Sequence, residues 1–163
     1  MLTKAEVKKL IKASLAPHGF SQQGNYFRRQ VGSTYQALFL QPSYYGGEYF
    51  PDMLLTFNEL NSERKNTQSD CHMSSRLSSI YHPDGDPTVT PLREWSIRYD
   101  DSDTSITQLE EQLQIAIPAF LAWLDEYPSV QVAAEKMRHE KWATAVSRYL
   151  LFADLGTEVP MPS

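Results

Sequence analysis

Arg28, Gln41, Asn58 and Arg76 are the residues of this chain best suited to binding chemistry. Two guanidinium groups grip an anion through forked hydrogen bonds, and two side-chain amides add directional donors and acceptors. If the fold assembles them, the four make an anion-binding pocket for a small ligand or a substrate. The reactive residue types promise less. His18, His72, His82 and His139 have no metal-ligand spacing, and the neighbours Cys71 and His72 would point to opposite faces of a strand. Cys71 reads as a structural thiol rather than a nucleophile. Asp84-Gly85-Asp86 lacks the distal glutamate of a calcium loop and reads as a turn. Phosphate-loop, dinucleotide and nucleophile-elbow motifs are missing. No pattern commits the chain to a reaction, a metal or a cofactor, so an enzyme is the less expected reading.

Charge points elsewhere. The formal net charge is −5. Between Asp84 and Glu126 ten acidic residues face only Arg93 and Arg98, a net of −8, which leaves +3 for the rest of the chain. That balance is wrong for a nucleic-acid binder and suits a partner with a basic surface. Asp100, Asp101 and Asp103 are the densest part of the segment, and Tyr44-Tyr45-Gly46-Gly47 is a flexible aromatic loop. Those three aspartates and two tyrosines are the candidate partner-binding residues. No apolar run approaches the roughly twenty residues of a membrane helix. The N-terminus runs into a charged helix without a signal-peptide core, and Cys71 is the single cysteine. These features lead us to expect a cytoplasmic protein that makes no membrane contact.

The elements that must position these residues are legible in outline. Thr3 and Glu6 have capping-box spacing, and Val7, Leu10, Ile11 and Leu15 form a helical stripe that Pro17 and Gly19 stop. From Phe20 to Tyr99 the chain reads as strands and turns. Gly32-Ser33 suits a type II′ hairpin loop, which would set Phe27 opposite Leu38 and Arg28 opposite Ala37. Phe27, Leu38 and Leu40 then share a core face, while Tyr26, Arg28, Tyr35, Phe39 and Gln41 share the other, which looks partly open. Further strands are expected at 53–60, 71–81 and 92–99, with a turn at 82–87. After possible caps at 100–104, a stripe from Ile106 to Leu124 predicts a long helix that Pro118 should kink or split. Short helices follow at 130–137 and 140–154, the last with Trp142, Ala145, Val146, Tyr149 and Leu150 in phase and Gly156 as its cap. The prediction is an α+β fold: an N-terminal helix, a central antiparallel sheet of about five strands, and C-terminal helices on one sheet face. It forms a single domain over 1–155 with a flexible tail at 156–163.

Gly19-Phe20, Gly24-Asn25-Tyr26-Phe27-Arg28 and Leu40-Gln41-Pro42-Ser43 resemble the opening of the DUF4304 family of bacterial proteins. Phe57-Asn58, Cys71-His72, Arg76-Leu77, Trp95-Ser96-Ile97 and Pro118-Ala119-Phe120-Leu121 extend the likeness over about residues 5–125. Ser78 departs from the pattern, where a glycine is expected, and the helices beyond 128 lie outside it. The resemblance implies an α+β fold around an antiparallel sheet and carries no established activity. Members are similar in size and cytoplasmic character to the immunity proteins that neutralise bacterial toxins. The functional expectation is therefore a non-enzymatic protein-binding module, most concretely an immunity-type protein. The alternative is a ligand-binding protein or enzyme built around Arg28, Gln41, Asn58 and Arg76.

Overall fold

The computed structural model describes residues 1–79, 95–139 and 151–156. Helix α1 (Lys4–Leu15) begins at the expected capping box: the Glu6 amide donates to Thr3 Oγ1 (3.2 Å) and the Thr3 amide to Glu6 Oε2 (2.8 Å). It buries Val7, Ile11 and Leu15. A 3₁₀ turn over Ala16–His18 ends at Gly19, whose φ of 85° only glycine adopts without strain.

Among the described residues six strands follow as one antiparallel sheet: β1 (Ser21–Gln23), β2 (Tyr26–Val31), β3 (Thr34–Pro42), β4 (Glu48–Phe57), β5 (Met73–Arg76) and β6 (Ile97–Arg98). Their order is β1-β2-β3-β4-β5, and β6 pairs with the start of β4 beyond the end of β5. The β2–β3 register matches the hairpin expectation, with Phe27 opposite Leu38, Arg28 opposite Ala37 and Val31 opposite Thr34. Gly32 has φ 59° and Ser33 does not share the positive sign, as a type II′ turn requires. β4 begins five residues earlier than the apolar run suggested, because Pro42 through Gln41 pair with Tyr49 and Phe50. Pro51 and Asp52 inside it break the strand pattern, so its own residues do not announce it.

Register assigns the faces. Phe27, Leu38, Leu40, Tyr49, Met53, Leu55, Phe57 and Met73 lie on one side, in one buried cluster with α1 and with helices α2 (Ile106–Asp125) and α3 (Val130–His139). Phe20 joins Phe120 there, with ring centroids 5.6 Å apart. Leu151 and Phe152, from a helical segment over 151–155, complete the cluster.

Helix α2 corrects two expectations. Its N-cap is Ser105, in a capping box with Gln108, rather than any residue of 100–104. Ser105 alone stands three residues before a glutamine that can reach back to its amide. Of the expected kink or split at Pro118 the split does not occur, since the helix runs unbroken for twenty residues. The stripe on both sides of Pro118, from Leu109 to Leu124, is buried and outweighs the one lost backbone bond. Ile106 was in phase with that stripe but is exposed, as befits a first helical residue.

The other sheet face is not open. Residues 61–71, between β4 and β5, lie across it. The Asn66 carbonyl accepts from Arg28, and Gln68 Nε2 donates to Gln41 (3.0 Å) and Asp52 (2.8 Å). Beneath them Ala37, Phe39, Leu54 and Cys71 form a second small core, with Tyr26 stacked on Phe39 at 4.3 Å. A polar loop covers aromatics when its own side chains satisfy the sheet's polar groups, and hydropathy pattern does not register that. The expected turn at 82–87 and the helical phase from Trp142 to Leu150 lie outside the described residues. No helix among the described residues is long and apolar enough to cross a membrane.

Candidate functional site

The two segments that carry the five candidate partner-binding residues lie alongside each other. Tyr44 and Tyr45 tip the β3–β4 hairpin, 95% and 94% exposed, with their rings edge to face at 5.4 Å. The loop is shaped by the Ser43 amide donating to the Glu48 carbonyl (3.0 Å) and by Gly46 and Gly47, both at φ 77°. Consecutive left-handed residues turn the chain back sharply, and only glycines accept that pair cheaply. Beside this loop runs β6. Glu48 lies opposite Arg98, and the Tyr99 amide donates to the Gly47 carbonyl at 2.9 Å. The tyrosine loop and the acidic turn at 100–103, some fifty-five residues apart in sequence, are thus backbone neighbours.

The acidic turn is rigidly built. Asp100 adopts φ 57°, a left-handed conformation that aspartate tolerates better than most residues, and its amide donates to the Leu2 carbonyl (2.7 Å). Asp101 Oδ1 accepts from the Asp103 amide at 3.0 Å. Asp100 and Asp103 are exposed and Asp101 half-buried. Among the described residues none of the three forms an ion pair. Two other tyrosines pack behind this edge: Tyr49 rests on Tyr99 (4.9 Å), and Lys4 Nζ lies 5.1 Å from the Tyr99 ring.

The anion-pocket residues fare differently. Arg76 and Gln41 do meet, at 2.5 Å, and Arg76 Nε also donates to Asp52 Oδ1 (3.1 Å). Burial raises the Asp52 carboxyl even though Arg76 and Gln68 bond to it. Arg28 spends Nε and Nη2 on the Asn66 carbonyl and Nη1 on Gln23, while its guanidinium rests 4.0 Å above the Tyr26 ring. Asn58 follows the end of β4, six residues beyond Asp52, so it stands roughly 20 Å from the Arg76 partner. The structure brings together two of the four residues, and each arginine already holds a protein acceptor.

A third constellation was invisible in sequence. His72 is wholly buried, accepts from the Phe57 amide at Nδ1 (2.9 Å) and lies 2.6 Å from Asp154 Oδ2 through Nε2. That pattern assigns the proton to Nε2. Asp154 also takes a fork from Arg64 (2.8 and 3.0 Å) and a bond from Asn61 (3.3 Å), and Arg64 reaches Asp70 (2.9 Å). Arg64 holds the Asp154 carboxyl well below the usual carboxylate range. Burial keeps His72 below the usual imidazole range, against the opposing pull of Asp154. A buried histidine oriented by a carboxylate resembles half of a catalytic triad. Here both ring nitrogens are occupied by the protein, and Cys71 sits in the opposite-face core with its thiol pushed up to about 12 by burial. The arrangement is a clamp that ties the β4–β5 loop to the C-terminal segment. Only long-range pairing reveals it, since His72 and Asp154 are 82 residues apart.

A family model described as a domain of unknown function, DUF4304, matches residues 11–126. No curated protein and no solved structure shows a significant match to the chain.

Proposed function

We propose that this chain, which belongs to the DUF4304 family, is a non-enzymatic protein-binding module whose partner presents a basic surface. The observation that supports the reading is the Tyr99–Gly47 backbone bond, which sets the loop of two exposed tyrosines beside a turn whose three aspartates form no ion pair among the described residues. Paired aromatics beside fixed charge are the composition of interface anchors: tyrosines give contact area at low entropic cost, and the carboxylates steer the encounter. The satisfied state of Arg28, Arg76 and His72 favours this reading over the anion-pocket alternative. In its most concrete form the partner is a toxin domain, and the module is an immunity-type protein that occludes it in the cytoplasm.

The test is affinity capture from the source organism with three baits: wild type, Tyr44→Ala/Tyr45→Ala, and Asp101→Lys/Asp103→Lys. Asp100 is left unchanged because lysine would strain its positive φ. A polypeptide with a basic surface held by the wild type and released from both variants supports the proposal. A partner held equally by all three, or none held by the wild type, refutes it.

A further inference from the structure

A cavity of about 330 Å³ opens between β6 and the first turns of α2. It is distinct from the tyrosine loop and from the second sheet face, and its lining includes Trp95, Arg98, Asp103, Gln108, Leu109 and Gln112. Its volume is at the lower end of small-ligand sites.

Arg98 is the unusual member. The other arginines of the described residues each hold an acceptor: Arg28 the Asn66 carbonyl, Arg29 Gln36, Arg64 Asp154, Arg76 Asp52 and Arg138 Glu135. Arg98 holds none among the described residues. The carboxylate directly across the ladder, Glu48, accepts instead from the Ser96 hydroxyl at 2.7 Å. The two glutamines add donors. Gln108 Oε1 is taken by the Ser105 amide and Gln112 Oε1 by the Trp95 indole, both at 3.0 Å, and neither amide nitrogen donates to another described residue. A guanidinium and two amide nitrogens on one cavity call for a carboxylate.

Asp103 restricts the choice. Its carboxylate shares the cavity and lies within the segment of net −8. A phosphate dianion would be repelled by that field, and a simple cation would be repelled by Arg98. A molecule with both charges and no net charge satisfies both groups. The buried Trp95 and Leu109 give its uncharged part an apolar floor.

We propose that this cavity binds a small zwitterion of the α-amino acid class, its carboxylate on Arg98 and its ammonium on Asp103. The cavity shares Asp103 with the proposed partner-binding surface, but the proposal rests on the cavity's own lining and its test contains no protein partner.

The full chain is titrated with each free L-amino acid, following melting temperature and calorimetric heat. The best ligand is then compared with its N-acetyl and carboxamide derivatives, with inorganic phosphate as the anion control. The expected result is that at least one free amino acid binds and both derivatives bind at least about tenfold more weakly. Arg98→Gln should weaken the free amino acid by a similar factor. Asp103→Asn should weaken it likewise while leaving the N-acetyl form unchanged. Both side chains are exposed, so the unliganded melting temperatures should match wild type. Binding of no amino acid overturns the proposal, as does binding that survives both substitutions. Arg98-dependent binding of phosphate that no amino acid displaces also overturns it, leaving a plain anion site.

Discussion

Asp154→Asn removes the acceptor on which the loop clamp converges. The wild-type carboxylate takes hydrogen bonds from Arg64 Nε and Nη2, from Asn61 and from His72, and its side chain is 10% exposed. Asparagine keeps one oxygen and turns an NH₂ group toward donors. Arg64 then loses its fork, and His72, wholly buried, loses the acceptor for Nε2. Removing one partner of a fully buried charged pair costs about 3–5 kcal/mol. The cost here should be lower, about 2–4 kcal/mol, because Arg64 is 21% exposed and keeps Asp70. Urea unfolding at pH 7 should show this as a lower midpoint at unchanged slope. Acid titration supplies a second reading. His72 and Asp154 both have folded values below their unfolded ones, so each contributes stability that is fully present above the unfolded value and lost as pH falls. Wild-type stability should therefore decline from about pH 6.5 as His72 is opposed, and again below about pH 4 as Asp154 is. The variant should lack the lower part of that decline. A loss under about 1 kcal/mol, with the acid profile unchanged, would refute the clamp as a stabilising element.

Phe120→Ala should cost about 3–5 kcal/mol in the same unfolding assay, since the ring is fully buried against Phe20 where α2 meets the sheet. Cys71, with its thiol raised to about 12, should react with an alkylating reagent at pH 8 only as fast as the protein opens, measured by mass spectrometry with and without urea. Asp100→Gly should be nearly neutral to melting temperature, whereas Asp100→Val should cost about 1–2 kcal/mol because a β-branched residue is strained at φ 57°.

Local chemistry was the part of this fold that sequence could carry. The Thr3 capping box and the Gly32-Ser33 loop each act within a few residues, and each fixed its element: the loop alone set the register that separates Phe27 from Arg28. What failed had remote causes. The second sheet face looked open because nothing in Tyr26, Phe39 or Gln41 announces that Asn66 and Gln68 will lie on top. The start of β4 was missed because Glu48-Tyr49-Phe50-Pro51 is recruited by pairing with β3 and β6 rather than by its own pattern. For the site, Tyr44, Tyr45 and the aspartates were found as separate features. Their union depends on a two-residue strand, Ile97–Arg98, too short to read from hydropathy. Arg98 had no signal beyond its charge, because it stands out only by holding no acceptor among the described residues of the folded chain.

The clamp also sets an order of events during synthesis. Every strand from β1 to β5 is complete by Arg76, and the family match itself ends at residue 126. Asp154, which fastens the β4–β5 loop, is made long afterwards. A ribosome-bound chain can therefore hold its sheet while the loop over Phe39 and Cys71 is still unlatched, because closing an 82-residue separation is among the slower steps of assembly. Nicking the mature protein ahead of residue 151 would return it to that state. The released loop would then expose the second sheet face to proteases and to neighbouring chains, and the helix-side core would lose Leu151 and Phe152.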